Sequence, residues 1–227
     1  MRLTYFGHSC FLLEVEGARI VLDPYLSDNP HGRVAPAKVP CDYVLCTHAH
    51  EDHICDAVEL SKKHKATIVA PYELAEYFAE QNAKALDLMP GGGMNFPWGR
   101  LEMTPAVHSS ALELPGGKNR FMGAPCGYVV RAEGKAVYHA GDTALFGDMA
   151  LIGRGGLDVA LVPIGDRYTM CTDDAVEALN FLRPRLAVPM HYDTTEKIRQ
   201  NPHAFAERAT AAGHAVRVMG AGATLEL

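Results

Sequence analysis

The chain has 227 residues, a formal net charge of −6 at neutral pH, and a composition that is 48% apolar and 21% charged. That size and balance fit one ordinary globular domain, taken as residues 1–227, and exclude a disordered or fibrous chain. Lysine and arginine are scattered, which leaves no basic footprint for nucleic acid. No apolar run reaches the ~20 residues of a membrane span, and residues 1–6 read as a strand rather than a signal peptide, so the expected location is cytoplasmic.

In chain order, short apolar runs at 3–6, 10–15 and 19–22 are separated by turn-sized gaps such as Glu16-Gly17, which predicts an antiparallel meander. Residues 25–40 are irregular, with prolines at 30, 36 and 40. An α/β passage follows: strand 43–46, helix 56–64, strand 67–70, and helix 72–81 opened after Pro71. Runs at 85–89, 94–98, 101–107, 127–132 and 136–139 return to meander spacing, with Glu133-Gly134 as a hairpin turn. Residues 113–125, "ELPGGKNRFMGAP", are long for a connection and read as either a solvated loop or a substrate-facing lid. A second α/β passage closes the chain: helix 144–152, strand 159–163, helix 173–182, strand 186–189, helix 202–212, then strands 216–219 and 223–225.

The order meander, α/β, meander, α/β favours two sheets packed face to face with helices outside, a four-layer αββα sandwich of the α/β class. The six cysteines contain no Cys-x-x-Cys pair and read as free thiols filling small buried spaces.

Chemistry concentrates in "CTHAHEDH", residues 46–53, at the end of a strand and just before a helix. His48 and His50 are two apart, so on an extended backbone both imidazoles project to one side and reach one cation. Asp52 and His53 follow where the chain turns, which allows a second cation beside the first. Three isolated residues extend the pattern, each at the end of a strand: His108 in "TPAVHSS", Asp142 in "YHAGDT" and His191 in "VPMHYD". Together they complete the donors a two-metal centre needs. Imidazole and carboxylate suit divalent zinc, manganese, iron, nickel or cobalt, with zinc the first expectation, and the absence of cysteine donors argues against a structural zinc site.

These motifs resemble the metallo-β-lactamase superfamily, whose His-x-His-x-Asp-His motif matches residues 48–53. More narrowly, "YFGHSCFLLE", "THAHEDH", "HAGDT", "PIGDRYTM" and "PMHYDT" are similar to small metal-dependent hydrolases related to the ascorbate-6-phosphate lactonase-like group. The resemblance covers nearly the whole chain. It implies the αββα fold, with His48, His50 and His108 on one metal, Asp52, His53 and His191 on the other, and Asp142 bridging. It also suggests a homo-oligomer. True β-lactamases of the superfamily commonly carry cysteine where this chain has Asp142, and flavodiiron oxidoreductases carry glutamate where it has His50, so neither antibiotic hydrolysis nor oxygen reduction is expected.

Two cations ~3.5–4 Å apart hold a water and lower its pKa from ~15.7 towards ~7, which supplies hydroxide at neutral pH. The expected reaction is hydrolysis of an ester, lactone or phosphodiester of a small molecule, with Asp52 as both ligand and proton acceptor. A phosphodiesterase or nuclease of the same fold, and a non-hydrolytic metal-binding or redox protein, are the competing readings. His8, in "GHSC", is a candidate for contacting substrate, protonating the leaving group or ligating metal. His139 and Asp23 are candidates for hydrogen-bonding the ligands. Arg167 and Tyr168 would suit a substrate phosphate or carboxylate, as would Lys118 and Arg120 if their loop is a lid. His31, His64, His203 and His214 read as surface residues.

Overall fold

The structure is a computed structural model that describes residues 1–114 and 116–227; Pro115, within the stretch expected to be a loop or lid, lies outside the described residues. The first strands β1 (Arg2–Gly7), β2 (Cys10–Val15) and β3 (Ala18–Leu22) form the expected antiparallel meander. β4 (Tyr43–Leu45) then joins β3 in parallel and leads into a one-turn helix α1 (Glu51–Ile54) and the longer α2 (Ala57–His64). Next come β5 (Thr67–Pro71), α3 (Tyr72–Glu80) and β6 (Ala85–Leu88). β6 pairs in parallel with β5, so it completes the first α/β passage instead of opening the second meander.

The second half begins with the antiparallel pair β7 (Gly93–Phe96) and β8 (Gly99–Pro105). A separate hairpin, β9 (Ala111–Leu114) with β10 (Lys118–Phe121), precedes β11 (Cys126–Ala132) and β12 (Lys135–His139). α4 (Met149–Gly153), β13 (Val159–Pro163), α5 (Thr172–Leu182), β14 (Leu186–Met190), α6 (Pro202–Ala211) and β15 (Thr224–Glu226) finish the chain. One mixed sheet has the order β15-β1-β2-β3-β4-β5-β6 and the other β14-β13-β12-β11-β8-β7.

Side-chain alternation explains how the layers stack. Leu45 and Val69 face the other sheet and share a core with Leu3, Phe11, Leu101 and Tyr128. Their neighbours Val44, Ile68 and Ala70 face outward onto Leu60, Leu74 and Phe78 of α2 and α3. Strands buried on both faces favour apolar residues throughout, which is why β13, and β5 after Thr67, are continuous apolar runs. On the far side, α5 turns Ala175, Ala178, Leu179 and Leu182 inward at helical spacing. Its N-terminus is capped by Cys171 Sγ, which accepts from the Asp174 amide at 3.4 Å. α6 is opened by Asn201, whose Oδ1 accepts from the amides of His203 and Ala204, with Pro202 in the first turn.

Three further expectations are corrected. Residues 113–125 are not simply a loop: Gly116 and Gly117, both at positive φ, turn the chain into the β9–β10 hairpin. The helix expected at 144–152 starts only at Met149, because the Ala144 amide donates to the Val107 carbonyl and the Val107 amide to Thr143 Oγ1. Those bonds tie the loop after β8 to the loop after β12. Residues 216–219 form a single bridge, Val216 to Ala187, and no strand. All six cysteines are free; Cys10, Cys41, Cys46 and Cys126 are buried as expected, whereas Cys55 is exposed.

Candidate metal centre

The centre lies where the loops leaving both sheets meet. After β4 the Cys46 amide donates to the Val69 carbonyl, the chain bends at His48 and Ala49, and the backbone is extended again at His50, at ψ 144°. The two imidazoles nevertheless converge, so the expected meeting of His48 and His50 is reached through a bend and not along an extended strand. α1, not foreseen from the sequence, begins at Glu51 and turns Asp52 and His53 towards the same point.

The remaining groups arrive from the second half. Gly141 precedes Asp142 at φ 63°, and a Cβ there would stand 2.4 Å from the Cys126 carbonyl, so only glycine turns the chain this tightly. His191 follows β14 at φ 54°, its amide donating to the His8 carbonyl at 2.8 Å. Gly165 lets the two loops pass: its Cβ would meet the His191 carbonyl at 2.5 Å.

Asp142 Oδ2 is the hub. It lies 2.9 Å from His191 Nε2, 3.5 Å from His53 Nε2, 3.6 Å from His108 Nε2 and 3.9 Å from His48 Nε2. Donor atoms of His48, His50, His108 and Asp142 lie within 4.8 Å of one another, and so do those of His8, Asp52, His53 and His191. The seven ligand candidates are thus brought together in the two expected groups, with His8 added to the second.

A buried carboxylate fixes two of the imidazoles. Asp23 Oδ2 accepts from His53 Nδ1 at 2.8 Å and from Thr47 Oγ1 at 2.8 Å, while Thr47 Oγ1 in turn accepts from His48 Nδ1 at 2.9 Å. Asp23 Oδ1 takes the Thr47 amide at 2.8 Å. With their Nδ1 hydrogens committed, His48 and His53 turn Nε2 to the centre. His53 Nε2 is buried and has no hydrogen-bond partner among the described residues. His48 Nε2 and His50 Nδ1 approach to 2.8 Å, and Ser109 Oγ lies 3.3 Å from His50 Nε2.

Electrostatics favour a cation here. Burial lowers the pKa of His48, His50 and His108, which keeps their lone pairs free at neutral pH. Burial also opposes charge on His53, but Asp142 and Asp23 outweigh it and raise this imidazole. The two carboxylates call for positive charge at His53 Nε2, which a metal ion supplies as a proton would. A partnerless buried imidazole nitrogen beside a carboxylate hub ringed by lone pairs fits divalent cations.

His8 sits in the tight turn between β1 and β2 at φ 57° and is 1% exposed. Its Nε2 donates to Asp52 Oδ2 at 3.0 Å and its Nδ1 accepts from Thr194 Oγ1 at 2.8 Å, so both nitrogens are engaged. Burial, helped by His191, lowers its pKa to about 4. Thr194, Thr47 and Ser109 were missed by sequence reasoning, although each stands within or beside a histidine motif. His139 does not touch Asp142: its Nε2 donates to the Ser9 carbonyl at 2.9 Å and its Nδ1 accepts the Gly141 amide at 3.2 Å, bracing the backbone on either side of the centre.

The expected substrate contacts are less central. Arg167 lies over the Tyr168 ring, 5.5 Å from its centroid, and Tyr168 is exposed. Their loop is latched beside the centre by the Met170 amide on the Thr143 carbonyl at 3.1 Å. Arg120 is drawn instead towards Glu80 of α3, at 3.5 Å. In β10 it is Asn119, not Lys118 or Arg120, that lines the cleft beside His50. Among the outlying histidines, His203 is exposed, while His31, His64 and His214 are partly buried and hydrogen-bonded to Asp193, Pro36 and Asn180.

The Beta-lactamase superfamily domain profile matches residues 2–191. A UPF0173 metal-dependent hydrolase of Opitutus terrae is 64% identical over 227 residues, covering all of both chains. The chain belongs to the UPF0173 metal-dependent hydrolase family, within the metallo-β-lactamase superfamily. Igni18, a metallo hydrolase of the archaeon Ignicoccus hospitalis, superposes on this UPF0173 chain with a TM-score of 0.89 at 38% identity, over 100% of this chain and 98% of its own. The metallo-β-lactamase fold protein YhfI of Bacillus subtilis, at 14% identity, shares the fold with a TM-score of 0.76 over 100% of this chain and 99% of its own. This UPF0173 protein is a metal-dependent hydrolase of the metallo-β-lactamase fold with a His/Asp metal site. No helix of the described residues is long and apolar enough to cross a membrane.

Proposed function

We propose that the protein hydrolyses a small-molecule ester or lactone at a two-metal centre, in which His48, His50 and His108 would hold one ion and Asp52, His53 and His191 the other, with Asp142 available to them. The observation that carries this reading is Asp142 Oδ2 standing within 3.9 Å of four imidazole Nε2 atoms. Zinc is the first candidate, with manganese, nickel and iron as alternatives. Bound divalent cations supply Lewis acidity and bring the pKa of a water from ~15.7 towards ~7.

The chain's own groups account for the proton. Asp52 is half-exposed, and its Oδ2 is held by His8. Burial pushes this carboxyl up, but His53 and the His8 hydrogen bond outweigh it and hold it below the usual carboxylate range. Asp52 is therefore an anion at neutral pH and accepts the proton of the attacking water. As the water oxygen bonds to the carbonyl carbon, the carbon–oxygen bond to the leaving group breaks, and Asp52 returns the proton to the leaving oxygen. His8 positions Asp52 and is itself aligned by Thr194.

The test is metal analysis of the purified protein, then a screen of lactones, carboxylic esters, thioesters and phosphodiesters with zinc, manganese, nickel or iron restored. Turnover of an ester or lactone that depends on the restored metal supports the reading. Coloured iron with oxygen turnover and no hydrolysis would overturn it.

A further inference from the structure

A cleft of about 600 Å³ opens directly off His50, between the β9–β10 hairpin and the helices of the first half. That volume is within the ~300–1,000 Å³ of small-molecule sites. His50 and Ser109, whose side chains are 3.3 Å apart, both line it, so the cleft borders the candidate metal centre.

The walls are mixed: Cys55, Gln81 and Asn119 join His50, Ser109 and the two glutamates on their polar part, and the rest is apolar. Ile54 and Val58 come from α1 and α2, Tyr77 and Phe78 from α3, and Ala111 and Leu112 from β9. Ile54 and Phe78 belong to the core under the helices, and Val58, Tyr77 and Leu112 pack against that core while keeping part of their surface exposed. The hairpin supplies one wall because the Met122 amide donates to the Ser110 carbonyl at 3.0 Å, which pins its base next to His108 and Ser109.

The charge on this cleft has one sign. Among the described residues its lining holds two carboxylates, Glu51 and Glu113, and no lysine or arginine. Arg120, one of the two cations of β10, turns to Glu80. On the other side of α1 a smaller hollow beside Asp52 is lined by Tyr25, Asp28 and Glu51, again without a lysine or arginine. An anionic group lodged within the cleft would stand beside these exposed carboxylates with no lysine or arginine of the lining to offset the repulsion.

We propose that this cleft receives an uncharged apolar acyl or aryl portion of the substrate, and so selects neutral carboxylic esters or lactones against phosphodiesters and other anions. The proposal rests on the hydrolase reading above and names the substrate class of that same site. Each methylene transferred from water to such walls is worth up to about a fourfold gain in binding.

The experiment uses the full chain, metal-loaded, with 4-nitrophenyl acetate, butanoate, hexanoate and octanoate against bis(4-nitrophenyl) phosphate, and with the neutral fluorophore N-phenyl-1-naphthylamine as a binding probe. The expected result is a kcat/KM that climbs with acyl length, and a phosphodiester rate below that of every ester. Leu112→Ala is expected to cut the octanoate-to-acetate preference at least threefold and to weaken probe binding by a similar factor. Val58→Ala, on the opposite wall, serves as the second variant if Leu112→Ala does not fold. A flat dependence on acyl length, or faster turnover of the phosphodiester, overturns the proposal and leaves a hydrolase with another specificity. Probe binding that both variants weaken, with no ester hydrolysed, supports the apolar cleft and overturns the ester-hydrolase reading instead.

Discussion

Asp23 Oδ2 accepts the Nδ1 hydrogen of His53 across 2.8 Å, with both side chains fully buried. The same carboxylate reaches His48 through Thr47, so one residue of the first half orients an imidazole in each donor group. Replacing it by Asp23→Asn keeps the shape but weakens the acceptor. Metal affinity is expected to fall roughly 10–100-fold, the usual cost of losing such a partner. Competition titration against a chromophoric chelator measures it, and an unchanged affinity would refute the orienting role.

Removal of a donor should be more severe. Asp142→Ala and His48→Ala are each expected to lose both bound metal and turnover, with larger losses than Asp23→Asn. Elemental analysis alongside hydrolysis rates checks this; full metal with full activity in either variant would show that the donor assignment is wrong.

Chelation tests the same centre without mutation. A ligand held only by the folded state adds about 2.7 kcal/mol of stability at a hundredfold excess over its Kd. Treatment with a chelator should therefore lower the thermal midpoint and abolish hydrolysis, and added zinc or manganese should restore both. A melting curve that chelator and metal leave unmoved would count against two ions held in this core.

His8 and Thr194 form a chain that ends on Asp52. His8→Gln and Thr194→Val are expected to reduce kcat by roughly tenfold to a hundredfold, in the range typical of partners that orient an active-site group, while metal content stays near wild type. If His8→Gln instead lost metal as completely as Asp142→Ala, His8 would be a ligand and not a positioning residue.

A pH effect is expected at His139. Its Nδ1 accepts the Gly141 amide and burial lowers its pKa, so the folded protein keeps it neutral where the unfolded chain, titrating near 6.5, takes up a proton. Below about pH 6.5 the unfolded state binds more protons, and this residue's share of stability falls as pH falls, by up to about 1.4 kcal/mol per unit. His139→Asn should make stability less steep on pH below 6.5 in urea unfolding at a series of pH values. An unchanged slope would mean that His139 is already charged in the folded state.

Much of this was legible because the donors sit at strand ends, where a motif of a few residues survives as a readable signal. His108, Asp142 and His191 each follow a strand whose apolar run is unmistakable, and the alternating order of meander and α/β passages pointed to two sheets. The losses have local causes. α1 is one turn long and polar, so its residues looked like loop. The 144–152 segment has helical composition, but its first residues are committed to hydrogen bonds with Val107. Arg120 was read as reaching over the site because sequence carries no sign of Glu80, forty residues away, on the facing helix. The cleft was equally invisible: its walls come from α1, α2, α3 and β9, and none of their apolar residues differs from ordinary core when read singly.

Asp142 Oδ2, ringed by imidazoles from both halves, also bears on when the protein becomes competent. Residues 48–53 complete none of the centre by themselves, and His191 arrives only after five-sixths of the chain, with the β1–β2 turn waiting for its amide at the His8 carbonyl. Tight metal uptake thus requires the last parallel strand to be seated against the rest of its sheet. In a refolding experiment, ion capture would therefore act as a clock for the docking of the two sheets, and would lag behind formation of either sheet alone.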